Sequence, residues 1–366
     1  MASIEEPGRV ARPNFPHSRR SSRTEPQAAV EIGLAAAIVT VEDGEPQTLT
    51  ISLSRRDIAC AAEETRQPVP HTGLPSGTFT PFLHRTLEIG LRSWVSEQTG
   101  LSLGYVEQLY TFADRGRHAL PEDVALHVVS IGYLALTRAE GEAIAAKGAH
   151  WSRWYHHFPW EDWRNGKPDI LTNEIEPRLD EWAASRTSPH TPARALSRRD
   201  RLRICFGRDG TWDEEKVLER YELMYEAGLV AEAAIDGRAS AKEWGDDFEF
   251  GAPMRYDHRR ILATAMGRLR GKLKYRPVIF ELMPETFTLL ELQRVVEAIL
   301  GSFLHKQNFR RLVETSGLVE PTGEVRAQTG GRPARVFRFR RSVLLERPAP
   351  GMRVRAQQIG KTVNIL

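Results

Sequence analysis

"FTLLELQRVVEAILGSFLHKQNFRRLVETSG", residues 287–317, decides how the rest of this chain is read. Thr288 is followed three residues on by Glu291, the pairing of a capping box. The hydroxyl accepts from one orphan helix N–H while the carboxylate reaches back to another. Leu289, Leu292, Val296 and Ile299 share one helical face, and Gly301 ends the helix. After a short turn, Phe309, Leu312 and Val313 mark a second buried stripe, and Gly317 stops that helix. Lys306, Gln307, Asn308, Arg310 and Arg311 fall outside the stripe.

"LVEPTGEVRAQTGGRPARVFRFRR", 318–341, follows. It reads as two strands, about 318–321 and 334–340, joined by a loop containing Gly323, Gly330 and Gly331. Helix, turn, helix and basic hairpin make the winged helix-turn-helix pattern. Arg and Lys neutralise phosphates, and Asn, Gln and Arg carry the donors and acceptors that match base edges. The groove-facing candidates are Lys306, Gln307, Asn308, Arg310 and Arg311; the wing candidates are Arg326, Arg332 and Arg335. Residues 301–345 hold nine Lys/Arg against three Glu, a net +6 in a chain of net +3. A basic module on a mildly acidic body is a footprint for a polyanion. A helical subdomain whose hairpin joins subunits would show the same pattern, and stays open.

Working outward, 366 residues allow two domains or one large domain with an insertion. Hydrophobic residues at 41% and charged residues at 27% suit a globular core. No run of about 18 apolar residues exists, which excludes a transmembrane helix, and the N-terminus lacks a secretory apolar region. Cys60 and Cys205 stand alone, which argues against a disulfide framework or a structural zinc site and for a cytoplasmic protein. Residues 1–26, rich in Arg, Ser and Pro, read as a disordered tail. Residues 28–53 read as two strands, 70–82 as a loop and 83–100 as a helix. "YVEQLYTF" and "VALHVVSIGYLAL" read as strands, so this part is mixed α/β. Residues 147–210 read as irregular; 213–234 and 257–273 read as helices, the latter with Asp257 as N-cap.

The "FTL-x-ELQ" helix, the "NFRR" helix, the "G-L-x-E-x-T" turn and the "GRPA" wing together resemble the Nudix-related transcriptional regulators (NrtR-like). The resemblance extends upstream through "DHRRILATAMGRLRGKLKY" and "GYVEQLYTFADRGR". It departs at His305, where that family often carries an acidic or polar helix cap. It implies a degenerate Nudix-like α/β/α sandwich with a helical insertion, followed by a C-terminal winged helix-turn-helix. The implied boundaries are 27–275 for the sensor, with the insertion at about 147–252, then 276–345 for the reader and 346–366 for a tail. The excess length at 147–252 is similar to the long alphaproteobacterial NAD regulator form (NadQ-like). That likeness implies repression of NAD synthesis and salvage genes, with ATP or NAD as effector.

A Nudix hydrolase needs several carboxylates that hold divalent metals and activate water. Anchored on Thr99-Gly100-Leu101, the motif positions fall on Phe79, Arg85, Ser93, Trp94, Glu97 and Gln98. One carboxylate of four remains, too few for a hard-cation site, so no catalytic residue, no metal and no catalytic cofactor are expected. A dead pocket can still bind an adenine nucleotide. Arg85, Arg92 and Arg115 are the phosphate candidates, and Tyr110 or Phe112 the stacking candidates. Core packing and solvated Arg side chains are the plain alternative for these residues.

"WSRWYHHFPWEDWRNG", 151–166, holds four of the eight Trp and reads as packing, or as a lid with Trp over a base. Its adjacent His156 and His157 rarely converge on one ion. Winged helix readers of this kind bind inverted repeats as dimers, so the expected partners are operator DNA, the nucleotide and a second copy, with no membrane. A Nudix-type hydrolase of ADP-ribose or NAD with an unusual metal set, and a scaffold that binds no DNA, are the rival classes.

Overall fold

The computed structural model describes residues 29–52, 70, 72–114, 126–138, 148–185, 196–208, 210, 212–243, 250–327 and 333–346. The expected tails at 1–26 and 346–366 lie outside these residues, except for Glu346. Ten strands are described: β1 (Ala29–Glu42), β2 (Glu45–Ser52), β3 (Thr72–Gly73), β4 (Ser76–Thr78), β5 (Tyr105–Phe112), β6 (Leu126–Leu136), β7 (Ala149–Arg153), β8 (Thr286–Thr288), β9 (Val319–Arg326) and β10 (Ala334–Phe339). The main helices are α1 (Leu87–Thr99), α2 (Glu176–Ala184), α3 (Arg198–Cys205), α4 (Val217–Glu226), α5 (His258–Tyr275), α6 (Leu289–Leu300) and α7 (Lys306–Ser316).

The large sheet runs β3-β2-β1-β6-β5, with β4 also on β1 and β7 also on β2. β1 and β6 are parallel from Ala29↔Leu126 to Val39↔Leu136; the other pairs are antiparallel. A parallel pair at the centre is covered on both faces, and β1 is buried continuously from Leu34 to Thr40. Leu34, Ala36 and Ile38 join Leu91 and Val95 of α1 in one core. Ala35, Ala37 and Val39 join Ile261, Leu262, Ala265, Met266 and Leu269 of α5 in the other. Strand alternation therefore feeds two cores, and the domain is an α/β/α sandwich.

Several sequence expectations need correction. α1 starts at Leu87 because the Thr86 hydroxyl accepts from Ile89 N at 3.2 Å, leaving Leu83 outside the helix and 77% exposed. The 70–82 loop contributes β3 and β4 to the sheet. The described residues within 147–210 are regular rather than irregular: β7 pairs with β2, and α2 and α3 follow. The helix expected over 213–234 is split, since α4 ends at Glu226 and a separate turn spans Ala231–Ile235. Gly228 sits between them at φ +79°, where an added Cβ would strike the Ala241 backbone. Asp257 precedes α5 without a side-chain cap bond; its carboxylate pairs with Arg260 at 3.5 Å instead.

Candidate nucleic-acid interface and sensor domain

α6 carries the expected capping box: Glu291 N donates to the Thr288 hydroxyl at 3.2 Å, and Thr288 N to the Glu291 carboxylate at 2.7 Å. Gly301 closes α6 and Gly317 closes α7, both left-handed. β8, β10 and β9 form a three-stranded antiparallel sheet in that order, and β9 runs to Arg326, longer than expected. Phe280 stacks on Phe339 at 4.3 Å and lies 5.7 Å from Phe287, tying the sheet to the segment before it.

The turn between α6 and α7 is held by two side chains the sequence reading passed over. Glu297 accepts from Leu304 N at 2.8 Å, and Gln293 donates to Leu304 O at 3.1 Å and to Glu297 at 2.8 Å. Both are buried. Their only sequence signal is two polar residues four apart on a mostly apolar helix face.

α7 buries Phe309 and Val313 and leaves Lys306, Gln307, Asn308, Arg310 and Arg311 exposed. No hydrogen bond or ion pair to a described residue engages these five side chains. His305 stands at the N-cap without a side-chain bond, so the first N–H groups of α7 have no cap of that kind. Arg335 is exposed on β10. Arg326 is drawn onto α6, pairing with Glu291 at 3.0 Å. Arg332 lies outside the described residues.

The described nucleotide candidates differ in their surroundings. Arg85 is exposed ahead of α1 and makes no polar contact with a described residue. Arg92 is engaged: its guanidinium donates to Leu103 O, to Gly104 O at 3.1 Å and to Glu88 at 2.9 Å, pinning α1 to the following loop. Tyr110 is 60% exposed. Phe112 is 1% exposed and packs in the α5-side core with Arg260 over its ring, which closes that ring to a ligand. A register irregularity between Gln108 and Thr111 separates the fates of these two neighbours. Arg115 lies outside the described residues. On α1, Trp94 donates to Thr78 O at 2.9 Å and Gln98 bonds both backbone groups of Ser76. Trp94 and Gln98 thus fasten α1 to β4.

The α/β/α sandwich and the winged helix are bolted together by a buried ion cluster that leaves no signal in the sequence. Glu161, fully buried, accepts from Arg220 at 2.6 and 2.8 Å and from Arg270 at 2.7 Å. Arg270 also donates to Ile299 O at 2.9 Å, and Tyr155 donates to Ala298 O at 2.6 Å, so both reach the C-terminal carbonyls of α6. Burial pushes the Glu161 carboxyl up, but the two guanidinium groups outweigh it and hold it below its usual range. Burial raises the Tyr155 hydroxyl to about 12, keeping it a donor. Trp163 N donates to Gly301 O at 2.7 Å. Trp154 and Trp160 are fully buried, so the Trp-rich stretch is mainly packing. His157 is buried between Ser152 Oγ at 2.9 Å and Ala252 O at 2.8 Å, not facing an ion.

Residues 279–339 match the family model of the NrtR DNA-binding winged helix domain. The C-terminal domain is similar to the NrtR winged helix. The chain's architecture is an α/β/α sandwich followed by a winged helix of the NrtR type. A curated relative, "ADPR responsive transcriptional repressor NtrR" of Acinetobacter baylyi, is 43% identical over 86 residues, 24% of this chain and 34% of the relative. The match thus spans about a third of that relative's length. Similar solved structures include Shewanella oneidensis NrtR complexed with a 27mer DNA, at 19% identity over 85% of this chain and 94% of that one, TM-score 0.47. A MutT/nudix family protein from Enterococcus faecalis is 15% identical over 88% and 90% of the two chains, TM-score 0.45. No helix among the described residues is long and apolar enough to cross a membrane.

Proposed function

We propose that this chain is a transcriptional repressor whose operator binding is set by an adenine nucleotide held in a catalytically dead Nudix-like domain. The observation that carries the reading is the exposed polar face of α7, with Lys306, Gln307, Asn308, Arg310 and Arg311, in a domain of the NrtR DNA-binding type. Asn308, Arg310 and Arg311 are the base readers, Lys306 and the uncapped start of α7 meet phosphate, and Arg332 and Arg335 serve the wing. Arg326 joins them by exchanging Glu291 for phosphate.

The Acinetobacter baylyi relative is named for its response to ADP-ribose, which places ADP-ribose first among the effectors to test, before ATP and NAD. Arg85, Tyr110 and Arg115 are the contacts we assign to it, with the sensor at 27–275, its insertion at about 147–252, and the reader at 276–345. The targets are NAD synthesis and salvage genes, read by a homodimer on an inverted repeat. The effector must favour one arrangement of sensor and reader, or it shifts nothing. The Glu161 cluster is the physical path between them.

Fluorescence anisotropy of labelled promoter fragments tests this directly. Specific, salt-sensitive binding that ADP-ribose, ATP or NAD changes at least fivefold is the expected result. Absence of specific binding would overturn the repressor reading. Binding indifferent to all three nucleotides would remove the effector. Turnover of ADP-ribose or NAD with Mg²⁺ or Mn²⁺ would restore the hydrolase.

A further inference from the structure

A cavity of about 790 Å³ lies between the insertion and the turn that joins α6 to α7. That volume suits a small-molecule site. Trp163 and Trp212 line one side, and Gly301, Ser302 and Phe303 of the turn line another. The two indoles lie 4.4 Å apart, and the buried Arg220 guanidinium sits 3.8 Å from the Trp212 ring centre. Trp163 is fixed in place: its ring N–H donates to Trp160 O at 3.1 Å and its backbone N–H to Gly301 O at 2.7 Å. A rigid aromatic surface backed by a cation favours a planar π-system stacked on it.

The cavity is not purely apolar. Ser302 lines its wall, and its buried Oγ has no hydrogen-bond partner among the described residues. Lys167 with Glu176, 2.7 Å apart, and Arg208 with Asp180 also line it. These pairs are partly solvated, and such pairs hold together weakly, so each partner is open to exchange.

We propose that this cavity binds a ribonucleoside monophosphate, a site separate from the one assigned to the effector above and not dependent on it. The base stacks at Trp163. Carboxylates accept from a ribose diol, as acidic residues do in dinucleotide-binding folds. Glu176 and Asp180 fill that part. Lys167 and Arg208 take the phosphate through charge-assisted bonds. Cations and carboxylates side by side match a ligand that carries both a phosphate and a diol better than a plain anion.

The test is calorimetric and tryptophan-quenching titration of the full chain with AMP, beside 2′-deoxy-AMP and inorganic phosphate. The expected result is saturable AMP binding with quenching, at least tenfold weaker for 2′-deoxy-AMP and for phosphate. The double variant Lys167→Ala/Arg208→Ala, altered only at partly exposed positions, should lose at least tenfold in AMP affinity, while Arg85→Ala binds as the wild type. No saturable binding, or unchanged affinity in the double variant, overturns the proposal. Loss in Arg85→Ala alone would move AMP to the sensor pocket and also overturn it. None of these outcomes touches the operator measurement.

Discussion

Glu161 shows how much one residue decides here. Two buried guanidinium groups depend on its carboxylate, and it has no exposed surface. Breaking a buried pair leaves uncompensated charge, a loss of about 3–5 kcal/mol. Glu161→Gln should lower unfolding free energy by about that amount in urea titrations; a loss below about 1 kcal/mol would mean that water reaches the cluster. His157 gives a pH signature. Burial lowers it to about 4 from 6.5, so the unfolded chain binds the proton first as pH falls. Its contribution is intact above pH 6.5 and is lost as pH falls from 6.5 toward 4, on the order of 3 kcal/mol. Wild-type stability should therefore drop over that window more steeply than that of His157→Gln; parallel curves would refute the assignment. Phe112 is the reverse case. An aromatic on a strand reads equally as platform or core, and only burial separates the two.

At the scale of elements, legibility followed locality. The bounds of α6 and α7 come from pairs three or four residues apart and from glycine stops, all visible in the sequence. Thr288→Ala should cost about 1 kcal/mol, because both reciprocal bonds of the box are made. A cost near zero would show that packing against β10 alone starts the helix. The break between Glu226 and Ala231 was hidden, because "EKVLERYELMYEAGLVAEAA" keeps helical spacing throughout while the 239–243 turn demands a close approach at Gly228. β3, β4 and β7 were hidden as well. Each is short and becomes a strand only by pairing with β1 or β2.

For the whole molecule, α5 is the organising element. It covers one face of the sheet with its apolar side and sends Arg270 to the end of α6. Operator affinity belongs to this scale, since a groove-reading helix works only when its domain is held in register. Arg310→Ala and Arg311→Ala should each weaken operator binding by about 1–3 kcal/mol if they meet base edges. A pure phosphate contact would instead weaken all sequences alike and flatten the salt dependence by about one. Neither effect in either variant would remove α7 from the interface. Gly301 binds the two scales together: at φ +70° an added Cβ would fall 2.4 Å from Glu161 O. Gly301→Ala should therefore lower stability and operator affinity together, whereas a purely local cap would change stability alone.

The sequence by itself determined the winged helix, because capping boxes, amphipathic stripes and glycine stops act within a few residues of one another. Tertiary structure alone decided the Glu161 cluster, whose partners lie 59 and 109 residues away. It alone decided the seating of Trp163 on Gly301 and the burial of Phe112. Contacts between distant segments leave no periodic trace in a chain, and burial is a property of everything packed around a residue rather than of the residue itself.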